Sequence, residues 1–342
     1  MTVFQAPDFD DHQEVRFFND LESGMRAIIA IHWQGASNIS GGGVRMKPYL
    51  DEQAAVADVL RLSRAMSYKF ALAGLPYGGG KTVIIGDPQQ KTPELLNALG
   101  RAVESFGGRY MAGPDVGTTS EDMVHIGACT THVRGRPGES GDTSPATGFG
   151  IYHAIRAAVR HKLGRDDLAG IKVAIQGCGA VGRALGHYLH DAGAELYVHD
   201  IDRQAMAAMV SDFGAVAVTG GEILSLEVEV SAPCALGAVL NDASIPTIVA
   251  PIICGGANNQ LAKERHGESL ADAGILYVPD YVANAGGAIS ATSEGPDFDR
   301  GEAFATVARI YDTCIKIFER ADQDGVSSSR AADRIASDII GR

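Results

Sequence analysis

Ile171-Lys172-Val173-Ala174-Ile175-Gln176-Gly177-Cys178-Gly179-Ala180-Val181-Gly182 is the stretch whose reading decides the fold. Its opening residues form a short β-rich apolar run, as a buried strand requires. Then comes G-x-G-x-x-G, and Val181 to Ala192 reads as a helix. In a strand–turn–helix setting the first glycine makes a tight turn and the second admits a pyrophosphate to the backbone. The third lets helix and strand pack closely. Unpaired N–H groups at the helix start then face the phosphates. Glu195-Leu196-Tyr197-Val198 reads as the next strand, and Asp200 stands just beyond it, eighteen residues past Gly182. An acid there accepts from a ribose 2′-hydroxyl and repels a 2′-phosphate, so NAD is the expected cofactor. Arg203 weakens that preference without reversing it. Gly177, Gly179, Ala180, Val181, Gly182 and Asp200 are the cofactor contacts this unit predicts.

Working outward, further strand-like runs occur at Glu227–Val230, Thr247–Ala250 and Ile275–Val278, and Gly150 to Lys162 reads as a helix. Strands alternating with helices predict an α/β fold with a parallel, doubly wound sheet. Arg134 to Asp142 is rich in Gly, Pro and charge, so the stretch 134–148 is the expected hinge between two domains. Before it, Ala27–Ile31 reads as a strand and Glu52–Phe70 as a helix with Ala55, Val59, Leu62 and Met66 on one face. That helix stops at Ala73-Gly74-Leu75-Pro76, and Thr82-Val83-Ile84-Ile85 is a β-branched strand. Amphipathic helices near 302–320 and 328–339 are expected to return to the first domain. The acidic run Ser293–Asp299 reads as a solvated loop.

The chain of 342 residues fits two domains, and 45% hydrophobic residues are enough for sizeable cores. A net charge of −13 disfavours nucleic acid or an anionic membrane surface as partner. No apolar run approaches ~18 residues, so no membrane span is expected. Met1–Asp8 carries neither the basic nor the apolar region of a signal peptide. The five cysteines are scattered without metal-ligand spacing. Reduced thiols, no metal site and a cytoplasmic location are the expectation.

Lys81 follows Gly78-Gly79-Gly80 and precedes Thr82, which invites a phosphate-loop reading. That reading fails twice: the motif needs glycine where Leu75 stands, and the segment feeds a strand instead of a helix. A lysine in a close-packed glycine turn is instead desolvated, which lowers its pKa so that it can take a proton from water. Lys69 ends the first helix, and Asp115 lies in Tyr110-Met111-Ala112-Gly113-Pro114-Asp115-Val116-Gly117-Thr118. A lysine and an aspartate facing one substrate could pass protons between them.

These residues carry a resemblance, over nearly the whole chain, to the dehydrogenases of glutamate, leucine, phenylalanine and valine, closest to the phenylalanine and leucine branch. The matching stretches are Gly42-Gly43-Val44-Arg45-Met46, Met66-Ser67-Tyr68-Lys69, Gly78–Lys81, Gly113–Thr118, Ala232–Gly237, Gly256–Asn259 and Pro279–Gly287. The resemblance implies NAD-dependent oxidative deamination of an amino acid to a 2-oxo acid and ammonia, and the reverse amination. Lys69 would hold the α-carboxylate with help from the backbone of Gly42 and Gly43. Lys81 would be the general base that activates water, and Asp115 would shuttle the amino-group proton. Thr147, Asn258 and Asn284 would line the nicotinamide and substrate end, with Ala232, Pro233 and Cys234 along the cofactor. The implied order is a substrate-binding and oligomerisation domain over 1–140 and an NAD-binding Rossmann domain over 141–318. A C-terminal helix over 319–342 would pack back on the first domain. Closure of the two domains on substrate and a homo-oligomer are further expectations.

Glutamate-specific relatives carry a lysine just before the Gly-Gly pair, where this chain has Gly41. A buried carboxylate without a cation costs several kcal/mol, so glutamate is disfavoured. Leucine-type relatives have leucine at that position and valines after the Asn-Ala-Gly-Gly turn, where this chain has Gly41, Ala288 and Ala291. The three changes predict an enlarged apolar pocket and a bulky substrate, phenylalanine first, with a leucine- or valine-type enzyme as the alternative. The stretch Ser37–Ser40 departs from the family in lacking a Gly-Pro before the Gly-Gly pair. A 2-hydroxy acid dehydrogenase would rely on a His–acid pair and an arginine in place of Lys and Asp. A non-catalytic dinucleotide sensor would have no use for Lys69, Lys81 and Asp115 together.

Overall fold

The computed structural model describes residues 2–138, 142–293 and 299–342. Part of the expected hinge at 134–148, and most of the acidic run 293–299, lie outside the described residues. The chain divides into two compact units, one of residues 1–141 with 336–342 and one of residues 142–335.

Unit 1 runs β1 (Glu14–Asp20), β2 (Met25–Ile31), β3 (Ser40–Lys47), α1 (Glu52–Leu72), β4 (Gly78–Ile85), α2 (Pro93–Glu104), β5 (Tyr110–Pro114) and α3 (Ser120–Gly127). Its sheet has the order β1-β2-β4-β3-β5, with β3 parallel to both β4 and β5 and β2 antiparallel to β4. Side chains alternate between faces along a strand, and the core follows that alternation. Ala27, Ile29, Ile31, Val44, Met46 and Ile84 pack on the α2 side, whereas Ile28, Ala30 and Val83 pack with Ala55, Val59 and Leu60 of α1. Asp51 caps α1 by accepting from the Ala54 amide at 2.8 Å, and Thr92 caps α2 in the same way.

The glycines before Lys81 are strand, not turn, which corrects the sequence reading. The reason is steric. A Cβ on Gly79 would lie 2.0 Å from the Ser67 amide nitrogen and 2.4 Å from the Ser63 carbonyl oxygen, so α1 rests directly on the β4 backbone. A Cβ on Gly80 would meet the Tyr110 ring at 2.7 Å on the opposite face. The triplet is small because helix and ring press on it from both sides.

Unit 2 runs α4 (Ser144–Leu163), β6 (Lys172–Gln176), α5 (Ala180–Asp191), β7 (Glu195–His199), α6 (Arg203–Phe213), β8 (Val216–Ala217), β9 (Val230–Pro233), β10 (Ile252–Ile253), α7 (Arg265–Asp272), β11 (Leu276–Tyr277), α8 (Asp280–Ala283), α9 (Gly286–Thr292), α10 (Arg300–Ala308), α11 (Ile310–Asp324) and α12 (Ser328–Ile340), whose last turn falls in unit 1. Its sheet is parallel, in the order β11-β10-β9-β6-β7-β8. The order in which strands are added therefore reverses beside β6, which is the doubly wound arrangement with its switch point between β6 and β9. The strand expected over Thr247–Ala250 is absent. Pro246 instead enters a 3₁₀ turn, Ile245–Thr247, which the Thr247 hydroxyl closes on the Ser244 carbonyl at 2.8 Å. The strand begins after Pro251.

The C-terminal segment expected over 319–342 divides between the units. Residues 319–335 cluster with unit 2, where His161 stacks near Phe318 and the Tyr281 hydroxyl donates to Asp333 at 2.6 Å. Only 336–342 join unit 1, where Ser337 bonds the Tyr68 hydroxyl at 3.1 Å. Arg342 donates to the carbonyls of Asp10 and Asp11, each at 2.8 Å.

Gly79→Ala is expected to cost about 3 kcal/mol or more, since neither helix nor strand backbone can yield to the new methyl. Gly41→Ala, whose Cβ would meet only the Phe70 ring edge at 3.3 Å, should cost far less. Chemical denaturation of the two variants checks the contrast.

Candidate active site

The chemical residues of unit 1 gather where β3, β4 and β5 lie side by side. Lys81 stands on β4 and is only 6% exposed. Its Nζ lies 2.6 Å from Oδ2 of Asp115, the residue that follows β5. Gly43 of β3 completes the setting, because a Cβ there would lie 2.7 Å from the Asp115 Cβ and 3.1 Å from the Lys81 Nζ. Only glycine at that position leaves the pair its place.

A turn pinned at several points holds Asp115. The Asp115 amide donates to the Thr118 hydroxyl at 3.0 Å, and that hydroxyl donates to the Val44 carbonyl at 2.7 Å. Gly117, at φ +81°, passes so close to β3 that a Cβ would lie 2.0 Å from the Met46 carbonyl oxygen. The carboxylate therefore has a fixed position against β3.

Electrostatics follow from that burial. Desolvation pushes the Lys81 ammonium down from its ordinary pKa, Asp115 opposes the change, and Arg45 reinforces it. Burial by itself would raise the Asp115 carboxyl, but Lys81 and Arg45 overcome it and hold the group down at about 2. Arg45 donates through Nε to the same Oδ2 at 3.2 Å. Tyr110 lies beneath on β5, its hydroxyl 2.9 Å from the Thr82 hydroxyl and donating to the Gly42 carbonyl at 3.1 Å.

Gly42 and Lys69 sit on this same framework. A Cβ on Gly42 would lie 1.7 Å from the Gly80 carbonyl oxygen, so β3 and β4 touch through bare backbone. Lys69 is half-buried in the last turn of α1. Two residues earlier, the Ser67 hydroxyl accepts from the Gly79 amide at 3.0 Å and fixes that turn to β4. Gly41 of β3 has a single side chain beside it. The ring edge of the buried Phe70 stands 3.3 Å from where a Gly41 Cβ would be. Phe70, not Gly41 alone, sets the space at this point.

In unit 2 the glycine turn has the backbone that its motif requires. Gly177 adopts φ +107°, and a Cβ on Gly182 would lie 1.9 Å from the Gly177 carbonyl oxygen. Around Gly179 a Cβ would meet nothing within 4 Å, so the start of α5 faces open space with no side chain capping its amides. Asp200 ties the turn to β7, accepting from the Cys178 amide at 2.6 Å and from the Asp202 amide at 2.8 Å. Burial would raise its pKa, but the amides of Asp202, Cys178 and Ile201 hold it below the ordinary value.

The other predicted residues of unit 2 meet on the same side of the sheet. Ala232 and Pro233 end β9, and the Cys234 amide donates to the Gln176 carbonyl at 2.7 Å, just before Gly177. Val181 touches the backbone of Gly256, where a Cβ would lie 2.8 Å from its methyl. Asn284 donates to the Gly256 carbonyl at 3.2 Å and to the Asn258 side-chain oxygen at 2.7 Å. Thr147, in the first turn of α4, would lie 2.6 Å from a Cβ on Gly287. Ala288 and Ala291 are half-buried on α9, three residues apart and so on one face of the helix. An open glycine turn, free helix amides, a nearby acid and a paired-amide floor fit a dinucleotide. Burial raises the Cys178, Cys234, Cys254 and Cys314 thiols, which makes them poor nucleophiles. Among the described residues no three His, Cys, Asp or Glu side chains group as a metal site would require.

Three residues beside the lysine pair had no role in the sequence reading: Arg45, Asp58 and Phe70. Arg45 was legible as a strand neighbour of Gly43, two residues away and so on the same face. Asp58 and Phe70 gave no local signal.

The doubly wound unit and the buried lysine–aspartate pair define a dinucleotide-dependent oxidoreductase. Residues 12–132 match the family described as Glu/Leu/Phe/Val dehydrogenase, dimerisation domain, and residues 138–202 and 194–303 match the Glutamate/Leucine/Phenylalanine/Valine dehydrogenase family. The chain belongs to this family and is an amino acid dehydrogenase, an oxidoreductase acting on CH–NH2 donors. It is 44% identical over 344 residues to leucine dehydrogenase of Bacillus cereus, covering 99% of this chain and 94% of that one. To L-tryptophan dehydrogenase of Nostoc punctiforme it is 44% identical over 341 residues, 99% of this chain and 96% of that one. The crystal structure of that enzyme superposes with a TM-score of 0.86 over 96% of each chain. Phenylalanine dehydrogenase of Bacillus thermotolerans is 43% identical over 348 residues, 99% of this chain and 90% of that one.

The depressed Asp115 has a consequence for acid stability. A carboxyl held at about 2, against its ordinary 3.8, stabilises the fold fully above its ordinary pKa and loses that contribution as pH falls through about 2. The shift corresponds to about 2 kcal/mol. Wild type should therefore lose stability between pH 5 and pH 2 that Asp115→Asn does not lose. Urea midpoints of both proteins across that range should converge as pH falls.

Proposed function

We propose that this chain catalyses the NAD-dependent oxidative deamination of a bulky hydrophobic L-amino acid, phenylalanine first, and the reverse reductive amination. The observation that carries the mechanism is the 2.6 Å contact between Lys81 and Asp115 in a glycine-lined, nearly dry setting. A lysine whose pKa is lowered by burial can be neutral near working pH and so act as a base.

A bound nicotinamide dinucleotide would supply the hydride acceptor for the amino acid Cα. Lys69 holds the α-carboxylate, with Gly42 and Gly43 leaving the backbone accessible beside it. Asp115 takes a proton from the substrate ammonium, which frees the nitrogen lone pair. Lys81 takes a proton from water as the water oxygen bonds to the imine carbon. Asp115 then returns its proton to the nitrogen and takes the hydroxyl proton as the C–N bond breaks, so that ammonia leaves and the carbonyl forms, and the protons left on Asp115 and Lys81 go to solvent. Gly177, Gly179, Ala180, Val181 and Gly182 would hold the pyrophosphate, with Asp200 at the adenosine ribose. Thr147, Ala232, Pro233, Cys234, Asn258 and Asn284 would line the remainder of the dinucleotide. Asp200 supports NAD over NADP because a 2′-phosphate would meet its charge.

Substrate size rests on residue identities. No cation stands at Gly41, and Ala288 and Ala291 are small, which disfavours a glutamate side chain and leaves room for an apolar one. Within unit 1 the Phe70 ring stands beside Gly41. A homo-oligomer built through unit 1 is in keeping with the dimerisation description of the profile it matches. No described helix is long and apolar enough to cross a membrane.

The test is a panel of L-amino acids with NAD and with NADP, followed at 340 nm, on wild type and Lys81→Ala. The variant should lose about 100-fold or more in kcat with the dinucleotide still bound, and wild-type-like turnover would remove the mechanism. In wild type kcat/KM should fall in the order phenylalanine, leucine, valine, and a clear lead for valine would overturn the size reading. Phe70→Ala should move the preference further toward large side chains, and Asp200→Asn should narrow the gap between NAD and NADP.

A further inference from the structure

Arg45 and Asp58 lie outside the roles given above, yet they continue the charge pair into the protein. Arg45 projects from β3 on the same face as Gly43, and its Nε shares the Asp115 Oδ2 atom with Lys81. Its Nη1 lies 3.4 Å from Oδ2 of Asp58 on α1. That same Asp58 oxygen accepts from the Tyr49 hydroxyl at 2.7 Å and lies 3.5 Å from the Lys47 Nζ. Lys81, Asp115, Arg45 and Asp58 thus alternate in sign, and none of the four side chains is more than 15% exposed. Lys47, at 43%, is the solvent end of the row.

We infer that Arg45 and Asp58 are positioning residues which set the proton affinity of the Lys81–Asp115 pair from behind. The inference rests on the reading of Lys81 as the base. Asp115 can satisfy Lys81 fully only if nothing else draws on its charge. Arg45 draws on the same oxygen atom, so Asp115 holds a proton on Lys81 less firmly. Asp58 in turn draws on Arg45 and limits that effect. Water screens buried charges weakly, so each member is felt by the next.

The other titratable groups near the row do not supply this control. Tyr110, from β5, is held neutral by burial and its hydroxyl is already engaged with Thr82 and Gly42. Tyr49 is likewise neutral and donates to Asp58. Lys69 on α1 is assigned to the substrate carboxylate, and the Val116–Thr118 turn brings no charge. Arg45 and Asp58 also meet with a fork on one side and a single oxygen on the other, so a lysine at 45 could not reach both carboxylates in the same way.

The two residues carry opposite charge, so removing them must move the pair in opposite directions. The base works when neutral, and kcat/KM therefore rises with pH as Lys81 loses its proton. Arg45→Gln leaves Asp115 entirely to Lys81, which should move this acid limb to higher pH by about one unit. Asp58→Asn keeps an acceptor for Tyr49 but removes the charge, which should move the limb to lower pH by about half a unit or more. Arg45→Lys, which restores the charge without the fork, should fall between Arg45→Gln and wild type. The measurement is kcat/KM against pH from 6 to 11 with L-phenylalanine and NAD, and melting curves confirm that each variant is folded. The substrate amine titrates identically in every case, so differences between profiles belong to the enzyme. Limbs that stay in place, or that move the same way in both variants, overturn the inference. If Arg45→Gln does not fold, the downward shift in Asp58→Asn decides by itself. Retained turnover in Lys81→Ala would instead remove the reading of the base on which the inference stands.

Discussion

Keeping an ammonium group out of water is the requirement from which the arrangement of unit 1 follows. Burying such a charge costs several kcal/mol unless a partner of opposite sign meets it at close range. Asp115 is that partner, and its place depends on backbones that approach one another more closely than any side chain would permit. Gly43 clears the space for the pair, Gly79 lets α1 rest on β4, and Gly80 yields to the Tyr110 ring. Each glycine is therefore fixed by a neighbour from another element, not by a turn of its own segment. A strand paired on both sides holds the lysine, which keeps it at one position.

Unit 2 uses the same bare-backbone device for the opposite charge. Where unit 1 brings backbones together to exclude water around a cation, the Gly177–Gly182 turn brings them together to leave amides uncovered for an anion. Asp200 supports that turn by accepting from the Cys178 amide. One carboxylate thus ties the glycine turn to the end of β7. Replacing it would loosen the loop.

Much of this was legible because the contacts that matter in unit 2 are close in the chain. Strand, glycine turn, helix and acid follow one another between Ile171 and Asp200, so period and motif found them. In unit 1 the chemical partners come from separate elements. Asp115 is 70 residues from Arg45, and Arg45 is 13 residues from Asp58. No local pattern encodes such pairs: the register of β3 against β5 brings Asp115 to Arg45, and α1 brings Asp58 to it. The same holds for Phe70 and Gly41. Read singly, Gly41 promises space, but the helix that ends at Leu72 returns a ring to that space. In sequence the glycine triplet reads as a turn because glycine usually marks one, whereas in the fold the crowding of α1 and Tyr110 demands it. The false strand at Thr247–Ala250 shows the converse, since β-branched residues between two prolines lost to a 3₁₀ turn.

The division of the chain also has a consequence for biosynthesis. Residues 142–335 form one unit that is continuous in sequence, whereas the other unit is assembled from 1–141 and 336–342. A ribosome adding residues in order must make the whole inner unit before the segment that bonds Tyr68 and the Asp10–Asp11 carbonyls emerges. At ordinary rates of synthesis that delay is roughly 10–40 s. The first unit to be started is the last to be finished, and in the interval the helix carrying Lys69 lacks its final contacts.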